Sequence, residues 1–421
     1  MNNLNPSKRL LHRNNWPIRL FLVHIAYLLA QNVFHIVQPR PLYDFIINLS
    51  IAVSLFLVSL RNIKFRRYYI DSGFLLCHHL FFIYALIIWT LSVINAEFIE
   101  TRLKMISQLG GWLLVYSVYA FNVKDVFFSF INVLLKIWMP LFIILLLLRY
   151  LEYVKFDNQE SYLLLFVFLL LPFLNNSKRF LSYIGMTLLI YASLDARAMI
   201  ILIIVSMIIF ALYKMKFPRM VYVITANCLL FIPILFLLFG VLGNINMISF
   251  LSNETNETDT RSFLYLEVEQ HIEKHEAYLL GTPGIGYNSS LKDVVHKNME
   301  TGEMEYYYED LKYGRMGSEV GMLNLYQHGG LVFCFLLFML YFYTVNMTLI
   351  FSRNDYCRYI ALLLSFRFSF MFIEGLITAF WQSLVLWMLF SICTNKSLLM
   401  MSDREITKYF KLSKLKIREL L

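Results

Sequence analysis

Long apolar runs separated by short polar connections fill most of this 421-residue chain. A bilayer core roughly 30 Å thick asks for about 20 apolar residues per helix. The pattern predicts twelve spans, near 18–37, 43–60, 73–95, 104–121, 125–149, 161–175, 179–194, 197–213, 219–243, 321–350, 356–377 and 379–396. The runs are continuous, with no short alternation, so the reading is helices and not a closed barrel. The expected fold class is all-α: a polytopic membrane helical bundle with twelve transmembrane helices. One stretch interrupts the pattern. Residues 244–320 carry fourteen Asp/Glu against six Lys/Arg. The chain thus divides into spans one to nine (1–243), a large polar loop (244–320), spans ten to twelve (321–396) and a basic tail (397–421).

Composition agrees. Hydrophobic residues make up 59% and charged residues 15%, and the mean hydropathy is +0.61. Soluble domains average about 25% charged residues. The net charge of +9 is a topology signal, because Lys/Arg-rich connections stay cytoplasmic. Basic groups fall on alternate connections: Lys8, Arg9, Arg13 and Arg19; Arg61, Lys64, Arg66 and Arg67; Lys178 and Arg179; Lys214, Lys216 and Arg219; Arg353 and Arg358. The tail adds Lys396, Arg404, Lys408, Lys411, Lys414, Lys416 and Arg418. Twelve spans put all of these, and both termini, on the cytoplasmic side and the acidic loop outside. The same rule accounts for the basic tail without a nucleic-acid partner. The first apolar run is too long for a cleavable signal peptide. None of the five cysteines (Cys77, Cys228, Cys334, Cys357, Cys393) lies in the loop, so no disulfide staples it and no CxxC metal site exists.

No internal repeat is evident. Glycine (16) and proline (9) are scarce, so plain helices are expected, with kinks at Pro140 and Pro172. Within the loop, residues 263–278 have helical amphipathic spacing. Gly281-Thr-Pro-Gly-Ile-Gly286 forces a turn, and 292–313 has no clear period and reads as irregular.

Several residues carry candidate chemistry. Arg197, in Ser193-Leu-Asp-Ala-Arg197, stands at the outer start of a span; it also fits a rim arginine paired with Asp195. Arg261 opens the amphipathic helix, and Arg315 lies just before span ten. Converging arginines would make an anion site, since the guanidinium fork matches phosphate oxygens. Glu319, at the start of span ten, is either a helix-capping acid or a general base at a cavity mouth. Lys136, Arg367 and Glu374 fall within spans. Intramembrane charges usually face the protein interior, and Arg367 and Glu374 share one helix face, as an ion pair or as part of a site. His78 and His79 have no partners for a metal, and no phosphate-binding glycine motif occurs.

Together these residues resemble the O-antigen ligase and O-antigen polymerase superfamily of bacterial envelope glycosyltransferases. The family pattern has twelve spans and a large periplasmic loop late in the chain. Asp195-Ala-Arg197 matches its arginine at the outer start of a span, and Arg261 its arginine at the start of the loop helix. Thr282-Pro-Gly-Ile-Gly286 is a compressed version of its P-x-G-x-G turn. The last motif position, ordinarily His followed by Asn in ligases, falls on Glu319, eleven residues before Gly330. That departure points to the polymerase branch.

The resemblance implies a C-type glycosyltransferase-like architecture in the bacterial inner membrane. It implies a metal-independent, cofactor-free, inverting polymerase of O-antigen, capsule or exopolysaccharide. Arg197 and Arg261 would hold the diphosphate of an undecaprenyl-diphosphate-linked glycan as it departs. Glu319 would take the proton from the acceptor hydroxyl. Arg315, Arg367, Glu374 and Tyr287 would contact substrate, Tyr287 by stacking on sugar rings. Membrane lipids, a chain-length regulator and a flippase are the expected partners. The competing readings are an O-antigen ligase acting on lipid A-core and a non-enzymatic flippase for lipid-linked oligosaccharides.

Overall fold

The computed structural model describes residues 16–32, 41–61, 70–150, 169–174, 176–192, 197–242, 262–287, 295–297, 304–306, 315–317, 320–373 and 378–412. Arg261, Glu319 and Glu374 lie outside the described residues.

The described chain is almost entirely helical. The helices are α1 (Trp16–Asn32), α2 (Pro41–Arg61), α3 (Ser72–Asn95), α4 (Ile99–Ser107), α5 (Leu109–Leu114) and α6 (Ser117–Phe121). Then come α7 (Lys124–Val133), α8 (Met139–Tyr150), α9 (Asn176–Ala192), α10 (Arg197–Met215), α11 (Arg219–Leu242) and the loop helix α12 (Ser262–Lys274). The last are α13 (Gly321–Phe351), α14 (Asp355–Phe370), α15 (Phe380–Thr394), α16 (Lys396–Met400) and α17 (Asp403–Leu412). Three helical stretches, Ser72–Asn95, Lys124–Leu148 and Gly321–Phe351, are long and apolar enough to cross a bilayer. Phe45–Arg61, Ile200–Met215, Arg219–Leu235 and Phe380–Thr394 are shorter apolar helices. The protein is a helical membrane protein.

The structure departs from the expected plain helices in three places. The run expected as one span at 104–121 is instead the end of α4, then α5 and α6. Within α5 lies the Gly110-Gly111 pair. Backbone passes so close that a Cβ on Gly111 would sit 2.2 Å from the Thr378 carbonyl oxygen. Second, α7 and α8 are joined by a π-helical turn, Leu134–Trp138, just ahead of Pro140. Lys136 sits in that turn with its side chain exposed at the bundle surface, not facing the interior. Third, α13 is broken at Gly330 (φ 63°, ψ −165°). Pro172 lies in a 3-10 turn, Leu171–Phe173. In the loop, part of the region expected to be irregular forms a small antiparallel hairpin, β1 (Val295–Lys297) against β2 (Met304–Tyr306), with His296 opposite Glu305.

One buried apolar cluster links the helices from Phe21 of α1 to Phe410 of α17. Asn227 of α11 and Asn346 of α13 exchange amide hydrogen bonds of 3.1 and 3.2 Å. Among the described residues, the connections sort to two ends. At one end Lys396 lies 3.7 Å from Asp71, which caps α3. There Arg219 donates to the Leu349 carbonyl at 2.6 Å, and Lys124 sits over the Tyr409 ring. Phe173 stacks on Phe410 at the same end. At the other end Asn95 donates to the Pro283 carbonyl at 3.0 Å, and Gly111 abuts Thr378. Among the described residues, Lys396, Arg219 and Lys124 therefore lie at one end, and the Gly281–Gly286 turn of the polar loop lies at the other.

Candidate functional site

The loop end is built around the break in α13. The spacing Leu264, Val268, Ile272 puts one apolar stripe on α12. It packs against Tyr287, Val320, Leu323 and Tyr326, forming a small core of its own. At its far end the chain turns at Gly281 (φ 68°) and Gly284 (φ 80°), conformations that favour glycine.

That turn fills the break. The Thr282 N–H donates to the Gln327 carbonyl at 2.6 Å, and its hydroxyl donates to the same oxygen at 3.1 Å. The Leu331 and Val332 N–H groups donate to Tyr278 and Leu279 carbonyls at 2.9 and 3.2 Å. Tyr84 of α3 donates to the Gly329 carbonyl at 3.0 Å. Backbone groups released at the break thus find partners outside their own helix, which a break at membrane depth requires. Gln327, fully buried, donates from Nε2 to the Ile285 carbonyl at 3.1 Å and reaches toward the Arg315 carbonyl at 3.5 Å. One side chain therefore ties the turn to the segment that ends the loop.

Two titratable groups lie in this lock. His271 donates from Nε2 to the Thr282 hydroxyl oxygen at 2.9 Å, since that hydroxyl's own proton goes to Gln327. Burial, reinforced by nearby His275, His328 and Lys274, holds its pKa down to about 4. Glu269 accepts a hydrogen bond from the Tyr326 hydroxyl at 3.1 Å. Burial raises its carboxyl above the ordinary value despite that bond.

Beside the lock lies a cavity of about 240 Å³. Its walls come from α3, α4, α5, the 315–317 segment and the first turns of α13, with Thr378 at one edge. Arg315 is held there by paired backbone hydrogen bonds to Tyr287 of 3.1 and 2.8 Å, while its Nε donates to the Gly317 carbonyl at 3.0 Å. Lys104 of α4 also lines the cavity. Gln108, Asn324 and His328 add neutral polar groups. His328 donates from Nε2 to the Met316 carbonyl at 2.9 Å. Trp89 and Trp112 supply aromatic walls. No Asp or Glu is among the described lining residues. Such a cavity suits an anion carried by a group with hydroxyls and apolar faces.

The expected site residues fare differently. Arg315 lines the cavity. Tyr287 does not: its side chain is fully buried in the core under α12, so it has no free face on which to stack a sugar. Trp89 and Trp112 are the aromatic residues in position. Arg367 is buried in α14, 5.7 Å from the Phe370 ring, and does not line the cavity. Arg197 begins α10, but its side chain lies outside the described residues. Glu319 falls between Gly317 of the cavity wall and Gly321 at the start of α13 in the chain. Lys104 is the residue that sequence reading missed. Its signal was available: Arg102 and Lys104 are basic residues near a connection that the charge rule expects to be poor in them. Arg102 is occupied structurally, donating to the Ala96 carbonyl at 2.9 Å.

No protein-family model, no curated protein and no solved structure matches the chain.

Proposed function

We propose that the protein is a membrane glycosyltransferase of the bacterial inner membrane that extends a polysaccharide on the outer face. It transfers a glycan from undecaprenyl diphosphate to an acceptor hydroxyl. The observation that carries this reading is a cavity with mainly apolar walls, lined by both Lys104 and Arg315, at the end of the bundle that bears the acidic loop. An acidic loop cannot hold an anionic diphosphate through its own bulk charge, but Arg315 near the end of that loop and Lys104 of α4 line one cavity with no carboxylate among its described lining residues. Arg261 opens the loop helix, and Glu319 stands four residues after Arg315. In this reading Arg197, Arg261 and Arg315 bind the diphosphate and stabilise its charge as it leaves. Glu319 accepts the acceptor proton. The Trp89 and Trp112 walls offer faces for sugar rings.

The test is chain length of the polysaccharide in cells. Arg197→Ala, Arg261→Ala and Glu319→Gln are expected to leave single repeat units on the outer lipid, with protein levels unchanged. Full-length chains in all three would sink the reading.

The break at Gly330 favours a second reading, because discontinuous helices near a polar site are common in transporters. A carrier for lipid-linked oligosaccharides would, when deleted, leave the lipid-linked unit on the inner leaflet. A transferase would not.

A further inference from the structure

One wall of the cavity is a short helix, α4. Helix α4 is nine residues long and amphipathic. Thr101 and Met105 are buried beneath it, whereas Ile99 and Leu103 are 60% and 58% exposed. It is fastened to α3 by Trp89, whose indole N–H donates to the Met105 carbonyl at 2.9 Å. A short helix with exposed apolar residues beside a span, and with charges on its remaining face, has the character of an interfacial helix. Lys104 follows Leu103 directly and lines the cavity. It has no ion-pair partner among the described residues. On α3 the exposed stripe Ile87, Leu91 and Ile94 runs alongside the lining residues Ile88 and Ser92. Lipid-facing surface therefore continues up to the cavity on the α3–α4 side, and it meets a cation there.

We propose that α4 is the lateral doorway of the cavity. A long-chain lipid phosphate or diphosphate lays its tail along the Ile99–Leu103 face and the exposed α3 stripe, and Lys104 takes its phosphate together with Arg315. The inference rests on the lipid-diphosphate reading above and adds to it the route and a binding residue outside every motif that carries the resemblance. The geometry explains why a lysine stands at this point of α4. A cation beside two exposed apolar residues matches a ligand whose charge and tail are adjoining parts of one molecule. Arg315 lines the same cavity on a backbone fixed by Tyr287, so one cation of the phosphate site stands on a pinned segment and the other on a small surface helix.

The test uses the full chain in nanodiscs and three probes: undecaprenyl diphosphate, undecaprenol and inorganic pyrophosphate. The wild type should bind the lipid diphosphate, with undecaprenol and pyrophosphate each at least about tenfold weaker. Lys104→Ala should weaken lipid diphosphate binding by about tenfold, and Lys104→Arg should restore most of it. Leu103→Asp should weaken the lipid probe while leaving pyrophosphate unchanged. Because both side chains are on the surface, elution as a single folded species serves as the folding control. Unchanged lipid binding in Lys104→Ala, or equal binding of pyrophosphate and lipid diphosphate, overturns the doorway. The outcomes separate the two readings. If the doorway variants bind normally while Glu319→Gln stops chain extension, the doorway falls and the transferase stands. If they behave as predicted while Glu319→Gln and both arginine variants extend chains normally, the transferase falls and the lipid site stands.

Discussion

The backbone N–H of Thr282 donates to the carbonyl of Gln327 at 2.6 Å, less than one turn before the break at Gly330. A turn near the end of the polar loop is thereby built into a membrane helix. The loop is not merely tethered at its ends; part of it replaces missing helix.

Three glycines give sharp, contrasting expectations. At Gly330 the backbone occupies a region open essentially only to glycine, and a Cβ would lie 2.3 Å from Leu279 backbone atoms. Gly330→Ala should cost about 1–3 kcal/mol from backbone strain alone, with the clash added. Gly111→Ala meets the Thr378 carbonyl at 2.2 Å, whereas the nearest atoms to a Cβ on Gly110 are 3.8 Å away. Thermal unfolding in detergent should show large losses for Gly330→Ala and Gly111→Ala and almost none for Gly110→Ala.

Removing the Gln327 amide should loosen the lock. Gln327→Leu leaves the Ile285 carbonyl without its buried donor, a loss of about 1–3 kcal/mol. The expected result is faster protease cutting within 244–320 and a lower melting temperature. Wild-type cutting rates would show that Gln327 is not the tie.

Acid should weaken the same lock through His271. Its folded pKa, about 4, lies below the ordinary 6.5 because its charged form is disfavoured by burial. The contribution is therefore complete above about 6.5 and is lost as pH falls toward 4. Glu269 acts oppositely: its raised carboxyl pKa favours the folded state on the acid side and costs stability as pH rises through that value. The difference between wild type and His271→Gln isolates the histidine. Melting curves across pH 4–7 should be flatter in the variant over that window.

Asp71 joins three elements at the opposite end. It accepts from the Gly73 N–H at 2.9 Å and from the Tyr343 hydroxyl, and it forms an ion pair with Lys396 at 3.7 Å. Burial alone would raise its carboxyl, but these partners outweigh burial and lower it. Asp71→Ala should cost about 0.5–2 kcal/mol for the helix cap, read as a drop in melting temperature.

Sidedness is open to labelling. Glu276 is exposed in the loop and Asp403 begins α17 at the basic end. A cysteine at 276 should react with an impermeant reagent in spheroplasts, and one at 403 only after lysis. The reverse pattern would invert the topology.

Hydrophobic run length made most helices legible, because each needs only a continuous apolar stretch. It could not resolve 104–121 into three pieces. Gly110-Gly111 permits a close backbone approach, but the partner, Thr378, is far along the chain. The break at Gly330 was hidden for the same reason: what fills it comes from Tyr278–Thr282. The α12 stripe was readable from spacing, whereas the strands of the β1–β2 hairpin, three residues each, are too short for an alternation to stand out. At the site, Arg315 stood out as a cation in an acidic stretch. Lys104 did not, because it opens an apolar run. Tyr287 misled because a tyrosine in a polar loop looks like surface, while its ring is what the loop helix is folded around.

The cavity's two walls, residues 88–112 and 315–333, are separated by roughly two hundred residues of chain. The first wall is synthesised and inserted long before its counterpart exists. During that interval Lys104 and the lining polar groups have no facing surface. Chains truncated before α13 should therefore be inert toward ligand and short-lived in the membrane, however well their earlier helices insert.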